Sequence, residues 1–151
     1  MRKATVQGAP AVWFLGQPIE IKATGAQTGG AYAVTEAEPE PGFGPSAHVH
    51  HREDEAIYVV DGDFVVTIDG EDIAAGPGSL VHVAKGRVHT HRNVGATPGR
   101  LVTVYVPAGF EQIFVDLGEP IADGATGPSA PFDPQALVER GADYGLEIVA
   151  G

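Results

Sequence analysis

All six histidines of the chain fall between residues 48 and 91, in two groups: His48, His50 and His51, then His82, His89 and His91. Side chains two apart on a β-strand share a face about 7 Å apart along the chain, so His48 and His50 can both reach one ion. If residues 51–54 make a turn, the returning strand sets Glu55 opposite His50 on the same face. The run HVHHREDE then offers two neutral nitrogens and one carboxylate from one hairpin, and His89 completes a shell of three histidines and one carboxylate. That donor set suits one divalent transition metal per chain, Fe, Mn, Ni, Zn or Cu, better than Mg or Ca. The chain has no cysteine, which excludes thiolate sites and disulfides and leaves His, Asp and Glu to build any tight transition-metal site.

A dication held by three imidazoles and one carboxylate keeps a net positive charge and acts as a Lewis acid. It would stabilise an enolate, phenolate or enediolate by direct coordination. Residues 89, 91 and 93 share a face on an uninterrupted strand, so His91 is expected to look into the same cavity as His89. There it is either a wall residue or a proton carrier beside the metal. His51 points to the opposite strand face from His50 and reads as a surface residue, His82 as a packed strand histidine, and Asn93 as a strand-stabilising hydrogen-bond partner. Glu53 and Asp54 compete with Glu55 for the ligand role but sit at the expected hairpin tip, where they should be solvated. Tyr58, Tyr105 and Trp13 are consistent with core packing, a dimer face or a cavity wall.

The elements that position these groups read as strands. Gly62, Gly70, Gly78 and Gly86 recur every eight residues, with Asp61-Gly62, Asp69-Gly70 and Pro77-Gly78 as turn signals. Between them lie FVVTI at 64–68, EDIAA at 71–75 and LVHV at 80–83, and further strands are expected at 19–23, 31–38, 47–51, 55–60, 89–93 and 101–107. Short, evenly spaced strands with turn punctuation are the signature of an all-β barrel or sandwich. AIYVV and LVTVYV are apolar on both sides, so one face should line the barrel and the other should pack on a second sheet or a partner subunit. Residues 36–46, EAEPEPGFGPS, form a Pro/Gly loop that can rim a pocket. A helix over 110–117 should cover the barrel, and residues 118–132 read as loop. A second helix, capped by Asp133 with Pro134 at its first position, is expected within a C-terminal helical extension at 133–145.

At 151 residues one domain, 1–151, is the expectation, able to bury roughly 68–70% of its unfolded-chain surface. With 9 basic against 20 acidic residues and a net charge of −11, nucleic acid and anionic membrane are disfavoured as partners. No stretch approaches a membrane span, and the N-terminal MRKATVQGAP lacks the apolar core of a signal peptide, so a cytoplasmic location is expected.

The order of these residues resembles a known family. From Gly42 the chain runs five residues to His48, then to His50, four more to Glu55 and six more to Gly62; this stretch, 42–62, resembles the first cupin motif throughout. Gly70, Gly76-Pro-Gly78, Gly86, His89 and Asn93, within 70–93, look like the second, although Ala84 stands where that motif usually has proline. His91 is a further departure, since relatives often carry an aromatic residue there. The flanks TGGAYAV, VPAGFEQIF and ADYGLEIV are similar to the small single-domain cupins described as quercetin-2,3-dioxygenase-like. The resemblance implies a double-stranded β-helix, or jelly-roll barrel, with one or two short peripheral or C-terminal helices and a metal held inside by His48, His50, Glu55 and His89. It also implies a homodimer, and a Glu55 that alternates between ligand and general base. The function implied first is a dioxygenase-type oxidoreductase that brings O2 to a small aromatic or enolisable substrate. The alternative is a non-redox isomerase, cyclase or lyase in which His91 is the catalytic proton relay, and a third is a non-catalytic binding domain. Cupins host many unrelated reactions, so the activity has to be argued from the site.

Overall fold

The computed structural model describes residues 10–150; residues 1–9, most of the stretch read above as lacking a signal-peptide core, lie outside them, as does residue 151. In chain order the strands are β1 (Ala11–Phe14), β2 (Gln17–Ala23), β3 (Ala33–Ala37), β4 (His48–His50), β5 (Asp54–Asp61) and β6 (Phe64–Ile68). They continue with β7 (Glu71–Ala75), β8 (Leu80–Val83), β9 (His89–Asn93), β10 (Arg100–Val106), β11 (Glu119–Pro120) and β12 (Leu146–Ile148). Among the described residues three short helices accompany them: α1 (Gly25–Thr28), α2 (Gln112–Leu117) and α3 (Gln135–Arg140), the last running into a 3-10 turn, Gly141–Tyr144. No helix among the described residues is long and apolar enough to cross a membrane.

All strand pairs are antiparallel and form two sheets, one in the order β11-β1-β2-β3-β10-β5-β8 and the other in the order β12-β4-β9-β6-β7. This is an all-β jelly roll. Period-two alternation decides what faces inward: on β5 the buried positions are Glu55, Ile57 and Val59, and on β10 they are Leu101, Thr103 and Tyr105. The bounds of β6 to β9 coincide with the expected ones because each connection carries a glycine with φ between +83° and +96°, at 62, 70, 78 and 86. A left-handed backbone at those positions is cheap only for glycine, so the turns cannot drift along the chain.

The apolar interior falls into two clusters. One gathers Ile57, Val59, Phe64, Val66, Val83 and Leu101; the other gathers Phe14, Tyr105, Phe110, Phe114, Leu137 and Leu146 among its members. Glu55 pairs with Val83 on one side and Tyr105 on the other, so its carboxylate enters the interior where the two clusters meet.

Several expectations are corrected. The turn at 51–54 does not fold back within one sheet: β4 belongs to the five-stranded sheet and β5 to the seven-stranded one, and residues 51–53 carry the chain across. That crossing is held by the C-terminal segment. The His51 amide donates to the Gly145 carbonyl at 2.8 Å, and the Arg52 guanidinium donates to the carbonyls of Asp143 and Ala142. The loop read at 36–46 begins two residues later, since Glu36 and Ala37 end β3. The helix expected over 110–117 starts at Gln112. The C-terminal helical extension is broken after Arg140, with Asp133 capping through a 3.0 Å bond from the Gln135 amide to its carboxylate. β1, α1, β11 and β12 were not expected at all. The outer face of β5 and β8 is open among the described residues, with Tyr58 43% and Leu80 65% exposed.

Candidate metal centre

The structure brings His48, His50, Glu55 and His89 together from three strands. His48 and His50 lie on β4, His89 is the β9 partner of His48, and Glu55 reaches them from the opposite sheet. One ligand atom from each lies within 4.8 Å of all the others. Glu55 Oε2 is 2.7 Å from His89 Nε2 and 3.4 Å from His50 Nε2. The convergence is across the barrel rather than along one face of a hairpin.

Two imidazoles are oriented by backbone carbonyls, which only accept hydrogen bonds. His48 Nδ1 donates to Ser46 O at 2.8 Å and His89 Nδ1 to Arg87 O at 3.1 Å, which leaves each Nε2 for the interior. His50 differs: its Nδ1 is buried without a hydrogen-bond partner, and its ring is gripped by edge contacts to Phe110 at 4.3 Å and Tyr105 at 5.8 Å between centroids. The turn before His89 is tied to the same strand, because the Gly86 amide donates to the His50 carbonyl at 2.8 Å.

Burial pushes the Glu55 carboxyl up, but the His89 hydrogen bond and the charges of His50, His89 and His48 outweigh it and hold it at about 2. Burial pulls His89 down, yet the bond to Glu55 and its charge leave it above the usual histidine value. His50 is lowered to about 4 and His48 is lowered as well, both mainly by burial. One buried anion, two neutral imidazoles and one cationic imidazole thus share a site small enough for a single ion. A metal ion fits this arrangement, taking the place of the His89 proton against the Glu55 charge. When bound, it would supply Lewis acidity toward a ligand oxygen.

A cavity of about 220 Å³ opens from this centre. His48, His50, Glu55 and His91 line it at the metal end, Phe14, Phe43, Tyr105, Phe110 and Phe114 form aromatic walls, and Leu137, Val138, Leu146 and Ile148 come from the C-terminal segment. His91 faces the cavity, with a buried Nδ1 that has no hydrogen-bond partner, and burial lowers it to about 4, so it is a neutral imidazole near pH 7. The loop after β3 rims the cavity through Pro39, Phe43, Pro45 and Ser46. Its backbone approaches so closely that a Cβ on Gly44 would lie 2.1 Å from the His91 carbonyl oxygen. Asn93, fully buried, fastens the loop: its side-chain amide donates to Pro39 O and Thr97 O at 2.9 Å, and its amide oxygen accepts from the Gly95 amide.

Glu53 is 2% exposed, not solvated as its place beside the ligands suggested, while Asp54 does lie at the surface. The crossing of the chain between sheets carries it inside, where Oε1 has no partner. Burial raises its carboxyl to about 7 against the pull of Arg52, with the charges of Glu111 and Glu55 adding to the rise. Its neighbour Glu111 accepts the amides of Gly25 at 2.7 Å and Gly109 at 2.6 Å. A folded-state carboxyl raised from 4.5 to about 7 binds a proton that the unfolded chain releases, so stability falls as pH rises through that window. Glu53→Gln should remove this slope and make the protein more stable than wild type above pH 7, by up to about 3 kcal/mol. Parallel denaturant titrations at pH 5 and pH 8 measure it; an equal effect at both values would contradict the buried proton.

The remaining residues are placed as follows. His51 is exposed and pairs with Glu147 at 2.7 Å. His82 is exposed rather than packed, because Val81 and Val83 take the inward positions of β8. Tyr105 lines the cavity, Tyr58 lies on the open outer face, and Trp13 borders a second hollow beside Leu117 and Phe132. The contribution missed most was β12, whose Leu146 pairs with His50 and Ile148 with His48, bracing the ligand strand along its free edge. The alternation of Leu146, Glu147 and Ile148 was its only signal.

A model of the Cupin domain matches residues 35–105. Quercetin 2,3-dioxygenase of Bacillus subtilis is 32% identical over 117 residues, 78% of this chain and 33% of that protein. The tetracenomycin polyketide synthase protein TcmJ of Streptomyces glaucescens is 31% identical over 65 residues, 43% of this chain and 44% of that protein. The chain therefore spans a third to under half of the curated relatives it matches. Among solved structures, an RmlC-like cupin from Shewanella frigidimarina superposes with a TM-score of 0.58 at 19% identity, covering 71% of this chain and 93% of its own. With two facing antiparallel sheets, a histidine and glutamate cluster between them and these similarities in sequence and shape, the chain belongs to the cupin superfamily.

Proposed function

We propose that the protein is a metal-dependent enzyme of the dioxygenase type, acting with O2 on a small aromatic or enolisable molecule. The observation that carries this reading is the placement of three histidines and one glutamate at one end of a cavity walled by five aromatic rings. His48, His50, Glu55 and His89 would hold the metal. Glu55, which lines the cavity, would serve both as a ligand and as the base for a substrate hydroxyl. The aromatic walls orient a flat ligand and exclude water. The similarity to a protein named quercetin 2,3-dioxygenase supports the choice of chemistry. Elemental analysis of the purified protein, with O2 consumption followed on flavonols, catechols and 1,3-diketones, tests it. Complete turnover under anaerobic conditions would defeat it.

A second reading rests on His91. Its unpartnered, neutral imidazole faces the cavity beside the metal centre, as a proton relay in an isomerase, cyclase or lyase would. In that case His91→Phe should lower turnover by about 10²-fold or more while metal content stays unchanged. Unimpaired turnover in His91→Phe removes the second reading and leaves the first.

The open outer face of β5, β8 and β10 supports a homodimer. Tyr58 pairs with Leu80 and Val102 there, an apolar row facing outward. A single-chain mass by light scattering would overturn it.

A further inference from the structure

We propose that Thr35 and Thr103 form a second recognition point in the cavity, a pair of hydroxyls that holds a neutral oxygen at the end of the ligand away from the metal. The proposal rests on the reading above, in which the ligand's first oxygens go to the metal centre.

Inward positions of β3 and β10 lie in an apolar interior, and their inward neighbours include Ala33 and Leu101. At Thr35 and Thr103, which are direct cross-strand partners, the chain places two hydroxyls side by side. Both residues are buried and both line the cavity. Valine would fill the same volume in the same rotamers, so packing does not explain the choice. A hydroxyl facing the cavity there contributes about 0.5–1.5 kcal/mol when a ligand bonds to it, which a valine cannot do. Tyr105, the next inward residue on β10, also lines the cavity and extends the polar patch. The Thr103 hydroxyl has no side-chain partner among the described residues and is left for a ligand.

Distance and charge narrow what that ligand is. Tyr105 is the cross-strand partner of Glu55, and Thr103 lies two residues further along β10, about 7 Å by strand rise. A ligand coordinated at the Glu55 end therefore meets the threonines about one ring-length away. Among the described residues no lysine or arginine lines the cavity, so a carboxylate or phosphate there would be a buried charge without a counterion from them. The volume lies below the ~300–1,000 Å³ of drug-sized pockets. Together these select an uncharged molecule of one or two rings, with metal-binding oxygens at one end and a hydroxyl or carbonyl at the other.

The test uses the protein loaded with Zn(II), which is redox-inert, and two near-isosteric probes, 4-(hydroxymethyl)catechol and 4-ethylcatechol, titrated by calorimetry. Thr103→Val should weaken the hydroxymethyl probe by about 5–10-fold and shift the ethyl probe by less than about twofold, the loss of one neutral hydrogen bond. Thr35→Val should change the same probe in the same direction, and Thr103→Ser, which keeps the hydroxyl, should bind both probes as wild type does. An equal loss for both probes, or no change in either valine variant, would overturn the pair. So would failure of wild type to bind either catechol. Oxygen uptake is scored separately: uptake without this selectivity removes the threonine pair and leaves the proposed chemistry, and selectivity without uptake does the reverse.

Discussion

Glu55→Ala should lower metal affinity and any O2 uptake by more than about 10²-fold, and His89→Ala should do the same. Glu55 is the only anion among the four converging side chains, and without it a dication would sit among neutral imidazoles in a largely buried site. Removing one partner of a buried charge pair costs about 3–5 kcal/mol, which is ~10²–10⁴-fold in an equilibrium constant. His89 carries the other half of the argument, because its Nε2 makes the 2.7 Å contact to Glu55 and its Nδ1 is anchored on Arg87 O. The same contact gives the affinity a direction with pH. His89 is raised above 6.5, so a proton competes for Nε2 at and above the usual histidine value, whereas Glu55, held at about 2, stays ionised throughout. Affinity should therefore fall by about tenfold for each pH unit below the raised value and level off above it. Elemental analysis after dialysis against a competing chelator, with circular dichroism to confirm the fold, reads both effects. Full metal retention in Glu55→Ala would show that the ion is held elsewhere.

The ligand set was legible because spacing alone brings His48 and His50 to one face and because glycine turns set β9, and with it His89, in register. The topology linking them was not. HVHHREDE carries the spacing of a tight turn whether the chain folds back in the same sheet or crosses to the facing one, and either path places Glu55 near His50. The crossing shows only when Leu146 takes the pairing position beside His50, and a three-residue edge strand near the end of the chain leaves almost no pattern of its own. Glu53 was misread for the same reason. A glutamate next to Arg52 and Asp54 looks solvated in sequence, and it is buried only because the crossing turns it inward. His82 reads as packed because it stands in the apolar run LVHV, and the structure exposes it by burying Val81 and Val83 and turning Leu80 outward. Local signals such as turn glycines and alternation survive into the fold, while features decided by which sheet receives the next strand do not.

Phe110→Ala should cost about 3–5 kcal/mol of stability and also weaken metal binding, although Phe110 offers no ligand atom. Its ring is buried against Tyr105 at 5.2 Å and Phe114 at 5.5 Å, so truncation opens a void in the cluster that closes this end of the barrel. The effect on the metal follows from how the three imidazoles are held. His48 and His89 are fixed by hydrogen bonds to carbonyls, but His50 has no partner for Nδ1 and takes its orientation from ring contacts, of which the edge contact with Phe110 is shorter than that with Tyr105. Without that ring His50 gains rotameric freedom that metal binding must remove again, a loss in affinity of the ~10–100-fold seen when second-shell supports are removed. Phe14→Ala provides the control. Phe14 packs on Phe114 and Phe132 in the same cluster but makes no ring contact with a histidine, so it should lose comparable stability with metal affinity close to wild type. Denaturant titration and chelator competition on the two variants separate packing from positioning; equal affinity losses in both would mean that Phe110 acts only through the stability of the barrel.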